Sequence, residues 1–252
     1  MNGDPRDDAT TDAGGGLTNK QHWESIGAAY TAEWDPPARH RLGERELEFI
    51  VAGLRASPGR AALDVGIGSG RILDGLLRAG DQTALHGIDI AAAMVEASRQ
   101  RFAGEPRVRE LAVCDVSREP LPDWGTFDFV SAIRMLKYNE NWRDMVAKLV
   151  DRLAPGGVIV FSMSNRNSLN RISRPYAIGG VDVTRADMLE LCSRLQLEVL
   201  AVDGFTKLPH FLYSRVRSPR RARAILAVNR AMEQVIGGPA LAREIFVAAR
   251  RG

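Results

Sequence analysis

The stretch ALDVGIGSGRILDGLL, Ala62 to Leu77, decides how the chain folds. It runs from an apolar segment through Gly66, Gly68 and Gly70 into a segment with apolar residues at helical spacing, Ile72, Leu73, Leu76 and Leu77. A strand, a glycine turn and an amphipathic helix make the first half of a βαβ unit. A second apolar strand, LHGIDI, then ends on an acid, Asp89, about 20 residues beyond the last glycine.

Outward from this unit the pattern repeats. AALDVGI, TALHGIDI, VRELAVCD, FDFVSAI and VIVFSMS read as strands. GRILDGLLRAG, AAMVEASRQRF and WRDMVAKLVDRLA read as the helices between them, the last ended by Pro155-Gly156-Gly157. A polar loop, NRNSLNRISRPYAIGG, leads to a helix capped by Thr184 and to two last strands, LEVLAVDGF and REIFVAARR. Alternation of this kind predicts a doubly wound α/β fold with a seven-stranded, mostly parallel sheet. Two helices, within KQHWESIGAAYTAEW and RLGERELEFIVAGLRA, precede the sheet. A helical insertion at about 215–238, ending at Gly237-Gly238-Pro239, separates the last two strands and reads either as a lid or as a plain packing helix.

Residues 1–17 have a composition that cannot repay the entropy of ordering, so a disordered leader is expected ahead of one domain over residues 18–252. The N-terminus is acidic where an export signal needs a basic start and an apolar core, which predicts a cytoplasmic protein. No apolar run nears the roughly 20 residues that a membrane span requires. Cys114 and Cys192 fit neither a metal spacing nor a disulfide framework and read as buried small side chains. The net charge is +3, with a basic concentration at SRVRSPRRARA, Ser214 to Ala224; this reads as a solvated helix face or as the footprint of a polyanionic partner.

The glycine run excludes one ligand class and disfavours another. A triphosphate loop needs lysine and then Ser or Thr after its glycines, whereas Gly70 is followed by Arg71-Ile72. A dinucleotide fingerprint places its third glycine one residue later, where this chain has the bulky Arg71. The reading favoured over a dinucleotide is a nucleoside without a pyrophosphate. Five ordered segments between about Leu63 and Ser164 resemble the class I S-adenosylmethionine-dependent methyltransferases. LDVGIGSGR resembles the family's first motif, Asp89-Ile90 with Met94 its ribose and adenine contacts, and Cys114-Asp115-Val116 its contact to the adenine amino group. FDFVSAIRML resembles its fourth strand, and VDRLAPGGVIVFS its approach to the fifth.

The resemblance implies a Rossmann-like methyltransferase fold and S-adenosyl-L-methionine as cofactor. It places Asp64, Gly66, Gly68, Gly70, Asp89, Ile90, Met94, Asp115, Val116, Ile133 and Arg134 around that cofactor, with Tyr30 closing over its methionine carboxylate. Asp115 also reads as a turn cap, and Met94 as plain core. In the family the acceptor meets the N-terminal helices, the segment after the fourth strand and the late insertion. Those places hold His22, Trp23, Tyr30 and Trp34; Lys137, Tyr138 and Asn139; and His210, Phe211 and Tyr213. Many members carry His-His after the fourth strand; this chain has Lys137-Tyr138.

His210 is the expected general base and Tyr138 the second catalytic candidate, with no metal implied. The activity expected is methyl transfer to a small molecule in bacterial biosynthesis, first a hydroxyl of a natural product, sugar or lipid-like compound. An RNA-binding methyltransferase and a non-catalytic cofactor-binding interaction protein are the alternatives. Nucleic acid is the less favoured partner, and a homodimer is left open.

Overall fold

A computed structural model of the chain describes residues 19–26, 36–80, 82–170 and 180–252. The expected leader, Tyr30, Trp34 and part of the polar loop lie outside the described residues. Two helices, α1 (Asn19–Ile26) and α2 (Pro37–Arg55), lead into β1 (Ala61–Val65), α3 (Arg71–Ala79), β2 (Ala84–Asp89), α4 (Ala92–Arg101), β3 (Val108–Val113) and β4 (Phe127–Ala132). There follow a 3-10 turn (Leu136–Tyr138), α5 (Trp142–Asp151), β5 (Leu153–Asn165), β6 (Asp182–Val183), α6 (Arg185–Arg194), β7 (Leu197–Asp203), α7 (His210–Ser214), α8 (Pro219–Ile236) and β8 (Glu244–Arg251).

The strands form one sheet in the order β3-β2-β1-β4-β5-β8-β7, with the two-residue β6 beside β5. β8 is inserted antiparallel between β5 and β7, while the other main pairings are parallel. The sheet therefore has eight strands where seven were expected, because β6 has too few residues to leave an apolar signal. Alternation along each strand sends neighbours to opposite faces. Leu63, Val130, Ile159, Phe161 and Val247 join one buried cluster with Trp142, Met145 and Leu149 of α5. Ala62, Phe129, Val158, Val160 and Phe246 join a second with Leu42 and Ile50 of α2 and Leu73 and Leu76 of α3.

Local chemistry sets the element ends. Pro37 occupies the first position of α2, where its fixed φ suits a helix and its missing N–H costs nothing, so α2 starts a turn earlier than its apolar spacing indicated. Thr184 caps α6 as expected, in a reciprocal capping box with Asp187. α5 ends at Asp151, and Pro155-Gly156-Gly157 lies within β5 rather than terminating the helix. α7 was not anticipated, being a single short turn.

α2 crosses the sheet closely at Gly53. A Cβ there would stand 2.5 Å from Val160 Cγ2 and 3.2 Å from Phe129 Cε2. Gly53→Val should therefore cost about 1–3 kcal/mol through overpacking. Urea unfolding measures this, and an unchanged midpoint would show that α2 has room to move.

Candidate functional site

The strand order reverses between β1 and β4, and there the carboxyl ends of neighbouring strands diverge to leave a crevice. A cleft of about 680 Å³ fills it. Its wall is built from the segments that end β1 (Val65, Gly66, Gly68), β2 (Ile88, Asp89, Ile90), β3 (Cys114, Asp115, Val116) and β4 (Ile133, Arg134, Met135). Met94 of α4, Met145 of α5, Asn139 and Trp23 of α1 complete it.

The glycine loop is anchored to β2. The N–H groups of Gly66 and Ile67 both donate to the Ile88 carbonyl, at 2.8 and 3.1 Å. Gly68 N donates to Asp89 Oδ2 at 2.9 Å, and Ala91 N to Asp89 Oδ1 at 3.0 Å. Burial raises the Asp89 pKa, opposed by those backbone donors. Each carboxylate oxygen accepts more than one hydrogen bond, so Asp89 keeps acceptor capacity at the cleft wall. Gly66 has φ +78° and a Cβ there would meet Met135 Cβ at 2.9 Å, so a side chain is excluded twice over. At Gly68 nothing lies within 4 Å of the Cβ position, which leaves open space for a ligand against the main chain.

Other expected residues sit differently. Asp64 is fully buried behind the loop, accepting from Ser131 Oγ at 2.7 Å, and burial raises its pKa to about 7. Gly70 caps α3 with φ +83° and faces the Phe102 ring, which a Cβ there would strike; it lies outside the cleft lining. Asp115 lines the cleft and also accepts from Ser117 N (3.0 Å) and Ser117 Oγ (2.5 Å), so it caps its turn while facing the cleft. The thiols of Cys114 and Cys192 are pushed up to about 11 by burial and stay protonated.

Arg134 adopts a left-handed backbone, φ 63°. Its N–H donates to Ser162 Oγ at 3.0 Å. Its guanidinium bridges two buried carboxylates, with Nη1 at 2.8 Å from Glu46 Oε2 and Nε at 2.7 Å from Glu244 Oε2. Lys137 Nζ bonds the other Glu244 oxygen. Arg134 and Lys137 hold the Glu244 carboxyl well below the usual range despite its burial.

His210 does not line the cleft. Burial, with Arg243, Arg39 and Arg134 nearby, pushes its pKa down to about 3. An imidazole so depressed takes up protons poorly at neutral pH, and the general-base expectation loses its physical basis. Tyr138 is edge-to-face with Trp23, ring centroids 5.4 Å apart, one side chain removed from the cleft lining.

Sequence reasoning missed Glu24. Its carboxylate accepts from the first turn of α4, Ala92 N at 2.8 Å and Ala93 N at 3.4 Å, which pins α1 across the cleft with Trp23 facing in. A carboxylate at a helix N-terminus meets unsatisfied N–H groups and the positive end of the dipole.

Residues 63–159 match the family described as "Methyltransferase domain". The crystal structure of magnesium protoporphyrin IX methyltransferase from Synechocystis PCC 6803, with bound S-adenosylhomocysteine, superposes with a TM-score of 0.63 over 92% of this chain and 98% of that one, at 16% identity. Residues 63–159 thus resemble a methyltransferase domain, and the fold is shared with solved S-adenosylmethionine-dependent methyltransferases. Structures of that Synechocystis enzyme hold S-adenosylhomocysteine or S-adenosylmethionine. A ubiquinone biosynthesis O-methyltransferase from Alkalilimnicola ehrlichii is 32% identical over 146 residues, which is 56% of this chain and 58% of that protein. One of the same name from Idiomarina loihiensis is 26% identical over 202 residues, 72% of this chain and 82% of its own length. The chain thus spans little more than half the length of the first of these relatives.

Two outcomes follow for this chain. Glu24→Ala should weaken S-adenosylhomocysteine binding about fivefold, the equivalent of roughly 1 kcal/mol at a helix terminus; unchanged affinity by calorimetry would mean that α1 does not cover the ligand. Because the folded pKa of His210 lies near 3 against an ordinary 6.5, the unfolded chain binds its proton more readily. Stability should therefore fall as pH drops from about 6.5 toward 3, and His210→Gln should flatten that slope in thermal unfolding. Identical slopes for the two proteins would contradict the burial.

Proposed function

We propose that this protein transfers the methyl group of S-adenosylmethionine to a hydroxyl of a small molecule, a natural product, sugar or lipid-like compound, in a cytoplasmic biosynthetic reaction. The observation that carries the reading is the cleft at the sheet's switch point, where Asp89, Asp115 and an open Gly68 converge. The relatives named ubiquinone biosynthesis O-methyltransferases support oxygen as the acceptor atom.

In this reading the Asp89 carboxylate accepts from the ribose hydroxyls, and Ile90 and Met94 pack on the adenine. Asp115 and the Val116 backbone meet the adenine edge, while Gly66, Gly68, Ile133 and Arg134 surround the methionine part. Asp64 and Gly70 shape the loop from behind, and Tyr30 remains the proposed cover of the methionine carboxylate. The bound cofactor supplies an electrophilic methyl on a sulfonium, so the protein's share is alignment and exclusion of water. Trp23 and Asn139 form the proposed acceptor-side wall, with Tyr138 packed against Trp23. In this reading Tyr138, rather than His210, is the group proposed to meet an acceptor hydroxyl, from behind Trp23.

Purified protein with methyl-labelled S-adenosylmethionine, offered matched panels of phenols, sugars, amines and an unmodified RNA, tests the proposal. Label should enter hydroxyl acceptors, and Tyr138→Phe should slow that transfer about 10- to 100-fold if its hydroxyl assists proton removal. Label entering only amines or RNA would sink the proposal.

A further inference from the structure

We infer that the outward face of α8 docks this protein on an anionic lipid bilayer. The stretch Arg215 to Ile236 holds six arginines and one acid, Glu233, a net of +5 where the whole chain carries +3. The rest of the chain is therefore slightly acidic, and the excess positive charge is local. All six arginines are exposed, and among the described residues none makes a side-chain hydrogen bond or ion pair.

The orientation of α8 is fixed by its inner face. Ala222 and Asn229 are buried, and Ile225 and Leu226 pack on the cluster beneath α2. Glu233 turns inward to a two-pronged pair with Arg45, both contacts at 2.9 Å, and accepts from Asn229 Nδ2 at 2.7 Å. At 3.6 residues per turn the opposite side is then determined. It presents a stripe of Ala224, Val228, Ala231 and Val235, with Val228 51% and Val235 84% exposed. Arg220, Arg223 and Arg230 border the stripe on one flank and Arg221 on the other.

Charge and polarity together select the occupant. A second copy of the chain would set arginines against arginines. A nucleic acid would satisfy the guanidiniums but leave a stripe of methyl groups, with no hydrogen-bonding or stacking side chain among them, against a polyanion. An anionic bilayer meets both demands. Lipid phosphates accept paired hydrogen bonds from guanidinium forks, arginine stems lie along the boundary, and the valines enter the acyl edge. No described helix is long and apolar enough to cross a membrane, so the association is peripheral. It does not depend on which acceptor is methylated.

The test sediments the full chain with extruded vesicles of phosphatidylcholine alone and of an equimolar mixture with phosphatidylglycerol. The protein should pellet with the mixture and stay in solution with phosphatidylcholine. The triple variant R220E/R221E/R223E should lower the partition coefficient on the order of 100-fold or more, since each basic residue near a charged surface contributes several-fold. V228S/V235S, which leaves the charge unchanged, should lower it several-fold. Calorimetric binding of S-adenosylhomocysteine, unchanged in both variants, reports an intact fold. Failure to pellet with the anionic vesicles, or pelleting of the triple variant like the parent protein, would overturn the proposal. So would vesicle binding unmoved by V228S/V235S together with tighter binding to a duplex RNA, which would mark a general polyanion face.

Discussion

Three backbone N–H groups of one short loop, those of Gly66, Ile67 and Gly68, terminate on the end of a single neighbouring strand, two on the Ile88 carbonyl and one on the Asp89 carboxylate. The loop leaving β1 is thereby bent over β2 instead of continuing outward, and the crevice at the switch point stays open. The bend demands left-handed backbone at Gly66, Gly68 and Gly70, and two of those positions also have a neighbour that would collide with a Cβ. Asp89 has two duties that reinforce each other. It locks the loop through Gly68, and the lock fixes the carboxylate at the wall of the cleft.

On the other side of β4, a second constraint involves charge. Arg134 lies between Glu46 of α2 and Glu244 of β8, and Lys137 closes the group. Buried ion pairs gain little net stability over apolar packing, but removing one partner strands a charge at a cost of about 3–5 kcal/mol. Such a group specifies geometry: it ties the first long helix, the end of β4 and the last strand into one floor. The left-handed backbone of Arg134, unusual for a non-glycine residue, is held by the Ser162 hydroxyl and by both carboxylates. Burial lowers the Lys137 pKa to about 8 while its neighbours hold Glu244 ionised, so Lys137 and Glu244 keep their opposite charges at neutral pH.

The half of the cleft that ends β1, β2, β3 and β4 was legible because each contribution is local. A strand end, a glycine turn or an acid after an apolar run leaves a mark within a few residues, and Gly66, Asp89 and Asp115 were found that way. The charged floor was not, since Glu46 and Arg134 are 88 positions apart and Lys137 and Glu244 are 107 apart, and side-chain pairing over such distances has no periodicity. Glu24 was invisible for the same reason, reaching α4 from 68 positions away. His210 misled because residue type suggested a base, whereas its pKa is set by tertiary burial and by three arginines from other parts of the chain.

The most direct measurement is a calorimetric titration of the protein and its Asp89→Ala variant with S-adenosylhomocysteine, with NADH as a control ligand. The parent protein should bind the nucleoside at micromolar concentration and ignore NADH. The variant should lose about 2–3 kcal/mol, since hydrogen bonds to a charged acceptor disappear. Equal affinity in the two proteins would remove Asp89 from the cofactor site. Binding of NADH in place of the sulfur nucleoside would contradict the assignment of the cleft altogether.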